Sequence, residues 1–393
     1  MVDEVNTMKQ LVSLFLAILL LSGCAAPQPS PSEPTIATDP TSAPTGTPTE
    51  PVTQAPADPI AALVSTMTVE EKVGQLFLAR YDSANAAAHV KQYHLGGYIL
   101  FGADFKYQTP ASIQAELAAL QCASSIPLLM AVDEEGGTVT RVSRYSAFRA
   151  EQFPAPRSLY AAGGKALLLE TEAEKSMLLA ELGLNVNMAP VCDITTDPSA
   201  FMYGRSLGQD PETTGALIAG MVETMAQYRV GSVLKHFPGY GNNDDTHVGV
   251  ARDSRSLAEL EQRDLVPFRG GIEAGCGAIL VSHTVVEALD ASLPASLSPR
   301  VNEYLRQEMG FDGVTVTDDL AMEAITDVYG AGEAAVLAVL AGNDLLCATE
   351  YTLQYDAVLQ AVTEGRITAE RIDEAVARIL RWKQTLGLLT FEG

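Results

Sequence analysis

The sequence has little positive charge and little cysteine. It holds 25 Lys and Arg against 49 Asp and Glu in 393 residues, a formal net charge of −24. Nucleic-acid binding needs clustered basic residues, so this balance argues against nucleic acid as a partner. The five cysteines are scattered and form no C-x-x-C pair, which argues against a disulfide framework and a thiolate zinc site.

Aromatic residues are also scarce, at 6 % of the chain with a single tryptophan. That residue, Trp382, falls in the last helical segment, where we expect a place in the core rather than a platform for sugar. Four cysteines lie in or beside apolar runs and are expected to be buried, unreactive thiols: Cys122, Cys192, Cys276 and Cys347.

The longest apolar run, residues 11–21, is too short to span a bilayer but suits the core of a signal peptide. It ends in Leu-Ser-Gly-Cys, which resembles a bacterial lipobox with Cys24 as the lipidated first residue of the mature protein. Residues 1–24 are therefore predicted to be a lipoprotein signal peptide, and the protein to be extracytoplasmic and lipid-anchored to the membrane. The alternative is an ordinary cysteine in a frayed terminus. Asp3 and Glu4 fit poorly in a positive n-region, so Met8 is an alternative start.

Residues 25–58 form a segment rich in Pro, Thr and Ser, with nine, seven and three of them in 34 positions. Such a segment cannot bury enough apolar surface to offset its ordering entropy, so we expect a disordered tether. The folded part is then residues 59–393, expected to be one catalytic domain. It has 24 basic and 43 acidic residues, a charge of −19, so the acidity belongs to the domain itself.

Beyond the tether, short apolar runs alternate with segments of helical composition. The runs are 74–79, 97–101, 127–132, 185–189, 231–234, 277–281, 313–317 and 343–347. Strands that alternate with helices imply parallel pairing through right-handed crossovers. Eight such units in this length predict an α/β fold, a (β/α)₈ TIM-type barrel, in preference to an open doubly wound sheet.

Polar residues cluster directly after these runs. They are Asp104, Asp133, Asp193, Lys235, His236, His283 and Asp318. In a (β/α)₈ barrel such positions lie at the C-terminal mouth, where active sites are found. Polar loops alone would explain the acids, but they explain a Lys-His pair after an apolar strand less well. His283 follows the sixth run and is expected to face the mouth, although contact with substrate is the less favoured interpretation.

The most informative segment runs from Lys235 to His247 and reads KHFPGYGNNDDTH. Asp245 lies two positions before His247, and a carboxylate beside an imidazole fixes its tautomer and supports the imidazolium, which suits acid/base catalysis. The other interpretation is a metal site made of His236, His247, Asp244 and Asp245. No H-x-x-x-H or comparable ligand spacing occurs, which favours the acid/base interpretation. Taken alone, the Asp-x-His pair is equally compatible with a structural role.

A second informative segment is Thr-Asp-Asp at residues 317–319, which follows a β-branched run. Asp318 comes directly after the predicted strand, so its carboxylate is expected at the mouth, where it can attack an anomeric carbon. Asp319 must then point toward the loop or helix start, where a carboxylate can cap backbone N–H groups. Local sequence favours Asp318 over Asp319 as the nucleophile only slightly.

Seven motifs occur in order along the chain. They are VDEEGG (132–137), GRSLG (204–208), KHFPGYG (235–241), DTH (245–247), SHTVVEALD (282–290), LPASLSP (293–299) and TDDLAM (317–322). Together they resemble the β-N-acetylglucosaminidases of glycoside hydrolase family 3, over about residues 67 to 388. KHFPG followed by Asp-[Ser/Thr]-His is the most specific feature, because relatives that act on glucosides lack that Asp-x-His pair.

The resemblance implies a retaining, exo-acting enzyme that removes terminal GlcNAc from peptidoglycan fragments or related β-GlcNAc glycosides. It implies that Asp318 is the nucleophile of a covalent glycosyl-enzyme and that His247, with Asp245, is the general acid/base. The residues implied to bind the non-reducing sugar are Asp133, Arg141, Arg205, Lys235 and His236. No metal or cofactor is implied, and we expect a monomer whose partners are a small carbohydrate and, through Cys24, the membrane.

Departures from the family pattern leave the leaving group open. Tyr240 stands where many relatives have His, and Thr138 where some have an additional Arg. The enzymatic alternatives are a phosphorylase, since a His acid/base repels phosphate less than a carboxylate does, and a β-glucosidase. The alternative outside enzymes is a sugar-binding lipoprotein, although such a protein has no need of Asp245, His247 and Asp318.

Overall fold

Parallel strands arranged as a barrel form the centre of the fold. The computed structural model describes residues 58–241 and 251–391. The barrel strands are β1 (Phe77–Arg80), β2 (Gly97–Leu100), β3 (Leu129–Val132), β4 (Val186–Asn187), β5 (Gly231–Phe237), β7 (Ala278–Val281), β9 (Val314–Thr317) and β10 (Leu346–Ala348). They pair in the order β10-β1-β2-β3-β4-β5-β7-β9, and a parallel bridge from Val316 to Leu345 joins the two end strands.

Helices surround this barrel. In chain order they are α1 (Pro59–Thr66), α2 (Val69–Gln75), α3 (Ala86–Tyr93), α4 (Gly102–Phe105), α5 (Pro110–Ala123), α6 (Pro156–Leu182), α7 (Pro211–Gln227), α8 (Leu257–Gln262), α9 (Leu265–Glu273), α10 (Pro299–Gln307), α11 (Glu323–Tyr329), α12 (Ala331–Leu340), α13 (Tyr351–Thr363) and α14 (Ala369–Thr385). The short strands β6 (Arg252–Asp253) and β8 (Val285–Val286) form a separate parallel pair. The alternation of strands and helices confirms the predicted (β/α)₈ TIM-type barrel.

Each predicted apolar run overlaps one barrel strand, but the first was placed too early. Gly74 belongs to α2, because a reciprocal cap starts that helix. The Thr68 hydroxyl accepts the N–H of Glu71 at 3.2 Å, and the Glu71 carboxylate accepts the N–H of Thr68 at 2.8 Å. A cap of this kind satisfies two otherwise unpaired backbone donors and stabilises the helix. The chain is therefore helical through Gln75, and β1 begins only at Phe77.

The N-terminal end of the barrel is closed by Trp382, which confirms the expected core position. The indole belongs to α14 and is 5 % exposed. It lies against Gly231 at the start of β5 and Gly277 just before β7, where any Cβ would collide with it. Glycine at these two positions lets the ring approach the strand ends closely enough to fill the barrel.

The predicted N-terminal features lie outside the described residues. The signal peptide, Cys24 and nearly all of the tether fall within residues 1–57, so these predictions and their boundaries stay untested by the structure. Across residues 58–241 and 251–391, none of the helices has both the length and the apolar character needed to cross a bilayer.

One lysine, Lys383 of α14, is fully buried. Its Nζ donates to Oε1 of Gln75 at 2.7 Å. Burial lowers the pKa of Lys383 to about 7, whereas the pKa of lysine in an unfolded chain is about 10.4. Between these two values the unfolded chain binds more protons than the folded one, so the contribution of Lys383 to the free energy of unfolding increases as pH rises.

We expect Lys383→Met to remove this pH dependence, because methionine takes up no proton. The difference in the free energy of unfolding, variant minus wild type, should be highest at pH 7. It should decrease toward pH 10, because the wild-type value rises over this range. Urea unfolding at several pH values in this range measures it, and Lys91→Met, at an exposed lysine of α3, is the control. A constant difference between Lys383→Met and wild type over the range would contradict the expectation.

Candidate active site

A cavity of about 760 Å³ opens at the C-terminal ends of the barrel strands. All of the predicted site residues in the described part of the chain line it: Asp133, Arg141, Arg205, Lys235, His236 and Asp318. They are far apart in sequence and come from the ends of β3, β5 and β9 and from two loops. The barrel therefore assembles them at the mouth where the strand-end pattern predicted a site.

At the centre of this cavity four side chains make a buried ion-pair group: Asp133, Glu135, Arg205 and Lys235. The Lys235 Nζ lies 2.6 Å from an oxygen of Asp133 and 2.6 Å from an oxygen of Glu135. Arg205 binds both oxygens of Glu135, at 2.9 and 2.7 Å. Such a bidentate geometry fixes the orientation of the guanidinium as well as its charge.

The charges in this group stabilise one another. Burial would raise the pKa of Glu135, but the charges of Lys235 and Arg205 outweigh burial and hold that pKa well below its usual range. Burial would likewise lower the pKa of Lys235, but Asp133 and Glu135 raise it above the ordinary value. The Glu135 carboxylate and the Lys235 ammonium are therefore charged at neutral pH, and the cavity holds fixed donors and acceptors for a polar ligand.

The imidazole of His236 is held in one tautomer. Its Nδ1 lies 2.8 Å from Oδ2 of Asp193, and its Nε2 lies 3.1 Å from Nη2 of Arg205. Arginine only donates, so Nε2 is the acceptor, and the proton on Nδ1 is donated to Asp193. The other oxygen of Asp193 accepts the N–H of Tyr240 at 2.7 Å. Asp193 thus fixes both the ring and the segment that follows it.

The two adjacent carboxylates after β9 have different environments. Both residues line the cavity, and one oxygen of Asp318 accepts the N–H of Asp319 at 3.0 Å. One carboxylate oxygen of Asp319 accepts the N–H groups of Ala321 and Thr349 at 3.0 and 3.2 Å, and the other accepts the Thr349 hydroxyl. Asp319 therefore caps loop backbone, as predicted, and its bond to Thr349 ties the β9 loop to the β10 loop.

His283 is fully buried behind this pair of carboxylates. Its Nδ1 lies 2.7 Å from the Ser296 hydroxyl, and its Nε2 lies 3.0 Å from the carbonyl oxygen of Asp319. A carbonyl only accepts, so Nε2 carries the proton that it donates. His283 therefore supports the peptide next to Asp318 and is not among the residues that line the cavity.

The predicted acid/base pair, Asp245 and His247, lies outside the described residues, which stop at Gly241 and resume at Ala251. Arg255 fixes the chain on both sides of this gap. Its Nη2 donates to the Gly239 carbonyl at 3.3 Å and to Asp253 at 2.6 Å, and its Nη1 binds Asp264 at 2.6 Å. One guanidinium thus joins a described residue before the gap to two described residues after it.

A metal site is not evident in the part of the chain that the structure describes. Within it, no group of three or more His, Cys, Asp or Glu side chains is placed to hold an ion. Three of the four residues of the alternative metal interpretation, His247, Asp244 and Asp245, lie outside that part.

A second cavity, of about 890 Å³, lies at the opposite end of the barrel. Its walls come from α5, α6 and the residues just before β3, β4 and β5, and they are mainly aliphatic. Although it is larger, it lacks the converging charges of the first cavity, and the N-terminal end of such barrels serves stability.

Cys122 lines this second cavity and is exposed, so the expectation of a buried thiol was wrong there. The buried face of α5 is Ile113, Leu117 and Leu120, and Cys122 falls off that stripe.

Two residues of the site were not identified as such from the sequence. Glu135 lies inside the VDEEGG motif, and Asp193 was noted only as one of several strand-end acids. Neither spacing nor local pattern separates Glu135 from Glu134, whose carboxylate instead accepts the N–H groups of Arg141 and Val142 at 2.7 Å each. Only the fold shows which of the two faces Lys235 and Arg205.

Residues 68–382 match the family described as glycosyl hydrolase family 3 N terminal domain. The chain belongs to glycosyl hydrolase family 3. This confirms the family that the seven motifs predicted, and it makes the chain a glycoside hydrolase.

Similar family 3 proteins cover most of the chain. A β-hexosaminidase of Mycobacterium tuberculosis, LpqI, is 32 % identical over 345 residues, which are 85 % of this chain and 87 % of LpqI. A β-hexosaminidase of Stenotrophomonas maltophilia is 35 % identical over 69 % of this chain and 81 % of its own.

Solved structures of this family share the barrel. A glycoside hydrolase family 3 β-N-acetylglucosaminidase from Paenibacillus superposes with a TM-score of 0.77 at 36 % identity, covering 83 % of this chain and 64 % of that longer one. The structure of M. tuberculosis LpqI superposes with a TM-score of 0.76 at 30 % identity, covering 82 % and 96 %.

We expect Glu135→Gln to destabilise the family 3 barrel by about 3 kcal/mol, because it leaves Lys235 and Arg205 buried with one carboxylate fewer. Urea unfolding measures this. The matched control is Glu174→Gln, which also removes a carboxylate from an arginine pair but at a side chain 49 % exposed, so its cost should stay below about 0.5 kcal/mol. Equal effects of the two substitutions would show that the buried group does not support the fold.

Proposed function

We propose that the chain is a retaining exo-β-N-acetylglucosaminidase that releases terminal non-reducing GlcNAc from peptidoglycan fragments or related β-GlcNAc glycosides. One observation carries the proposal: the Asp318 carboxylate and the buried ion-pair group line the same cavity at the ends of the strands. Both relatives described above are named β-hexosaminidases, and the Paenibacillus structure is of a β-N-acetylglucosaminidase.

In the proposed complex the terminal sugar occupies the charged end of the cavity. Asp133 accepts hydrogen bonds from its hydroxyls, and Lys235 donates to them. Arg141 has the same role, which its position supports, because its Nε is buried without a partner among the described residues. Arg205 and His236 complete the sugar-binding set. Since these groups already hold one another in place, little reorganisation is needed on binding.

In the first chemical step an oxygen of Asp318 bonds to the anomeric carbon as the glycosidic C–O bond breaks. The leaving oxygen takes a proton from His247, whose imidazolium Asp245 supports. The backbone N–H of Asp319 donates to Oδ1 of Asp318 at 3.0 Å and helps to orient that carboxylate. The product of this step is a covalent glycosyl-enzyme and a free aglycone.

In the second step water attacks the anomeric carbon, gives its proton to His247 and releases Asp318. The configuration is inverted twice and so is retained. A histidine in the acid/base role carries no negative charge, so it does not repel the Asp318 carboxylate as a second carboxylate would. Histidine is also the side chain type that can both donate and accept a proton near neutral pH.

The proposed location follows from the lipobox pattern at Cys24. A lipid on that cysteine, followed by a Pro- and Thr-rich tether over residues 25–58, would hold a monomeric enzyme outside the membrane within reach of cell-wall fragments. The acidic charge of the folded part is in keeping with a soluble domain that does not itself adhere to anionic lipid.

We expect Asp318→Asn to reduce turnover of an aryl β-N-acetylglucosaminide by at least ~1000-fold, since the covalent route is lost. NMR of the wild-type reaction should show the β-anomer of GlcNAc forming first. The control is Asp312→Asn, at an exposed aspartate before the same strand, which should leave turnover unchanged.

An active Asp318→Asn variant, or initial release of the α-anomer, would overturn the proposed mechanism. Faster turnover of the matching glucoside would favour a β-glucosidase. Formation of a sugar 1-phosphate when phosphate is added would favour a phosphorylase. Binding of GlcNAc glycosides without any turnover would favour a sugar-binding lipoprotein.

We expect Cys24→Ala to move the enzyme from the membrane fraction to the soluble fraction of a bacterial host, because no lipid can then be attached. Immunoblots of fractionated cells measure this, and Cys122→Ala, which removes another cysteine, should leave the protein with the membrane. Membrane association of Cys24→Ala equal to wild type would contradict the proposed anchor.

A further inference from the structure

One aromatic ring on the cavity wall is exposed to solvent. Phe201 lines the 760 Å³ cavity and is 39 % exposed. Large apolar side chains with comparable exposure are few in the described residues: Val69, Tyr107, Met177, Phe201, Val328, Leu340 and Leu353. In that set only Phe201 belongs to the cavity. Exposed apolar surface at a cavity often marks a binding site, so we expect this phenyl ring to contact a ligand.

The ring of Phe201 rests on a buried base. Its centroid lies 5.9 Å from that of Tyr240, at an interplanar angle of 60°. Tyr240 is 2 % exposed and forms a small apolar cluster with Met202 and Val191. Tyr240 is itself held edge-on to His236, with centroids 5.2 Å apart. Phe201 is thus a supported surface rather than a loose side chain, and holding it in place for a ligand costs little entropy.

Phe201 lies on the outer side of the ion-pair group. The Arg205 guanidinium carbon is 5.8 Å from the Phe201 centroid, and beyond Arg205 come Glu135 and Lys235, whose side chains are 2 % and 3 % exposed. A ligand that enters from solvent therefore meets the phenyl ring before it reaches the buried charges.

We propose that Phe201 forms an aglycone subsite that takes the apolar face of a ring-shaped aglycone, a second pyranose β-linked to the terminal GlcNAc. This inference rests on the proposed function, in which the terminal sugar fills the charged end and the aglycone extends toward the opening. The C–H groups on one face of a pyranose are apolar and slightly positive, which suits the negative face of a phenyl ring. An aglycone without a ring gains nothing from this surface.

The test compares Phe201→Ala with wild type on two substrates, N,N′-diacetylchitobiose and methyl β-N-acetylglucosaminide. The first has a pyranose aglycone and the second a single methyl group. We expect kcat/KM for chitobiose to fall about 3- to 10-fold, mainly through KM, because stacking of rings contributes about that much. For the methyl glycoside we expect a change of less than about 2-fold, and Phe201→Tyr should preserve both activities.

The matched control is Tyr107→Ala, at an aromatic residue 91 % exposed that does not line the cavity, and it should alter neither substrate. Equal losses on both substrates in Phe201→Ala would overturn the subsite and assign Phe201 to support of the sugar site. Unchanged turnover of both would also overturn it. If wild type hydrolyses neither substrate, the proposed function fails and the subsite falls with it.

Discussion

The site depends on one buried ammonium group, that of Lys235, which lies between two carboxylates. Its pairs with Asp133 and Glu135 join the end of β5 to the chain after β3. Arg205 then attaches a third segment through Glu135. A buried charge without partners costs far more than a paired one, so these residues are tolerated only together. The ion pairs that offset the cost of burying these charges also hold the side chains in place, so the cavity has fixed hydrogen-bond donors and acceptors.

Around this group, further residues act by holding backbone. Asp193 secures His236 and the N–H of Tyr240, while Asp319 caps the loop that follows Asp318. His283 bonds the carbonyl of the same Asp319 from behind. At the other end of the barrel Trp382 fills the space between strand ends, and the buried carboxylate of Asp344, just before β10, pairs with Arg306, Arg371 and Arg378. Both ends of the barrel therefore combine apolar packing with a buried group of ion pairs.

The fold was predictable because strand-helix alternation is a local signal repeated along the chain, and the repeat determines the architecture. The resemblance to the family named six residues that line the cavity, Asp318 among them. Glu135 was missed because its identity as a site residue depends on which of two adjacent glutamates faces Lys235, which is a tertiary property. The start of β1 was misplaced because a helix cap at Thr68 outweighs an apolar run. Asp245 and His247 remain predictions, since they lie outside the described residues.

Arg255 makes two separate parts of the chain depend on one side chain. It binds the Gly239 carbonyl, which follows β5, and the carboxylates of Asp253 and Asp264. The side chains of both aspartates are 1 % exposed, and a buried carboxylate that loses its cation is costly. Loss of this guanidinium would therefore disturb the chain after β5 and the start of α9 together.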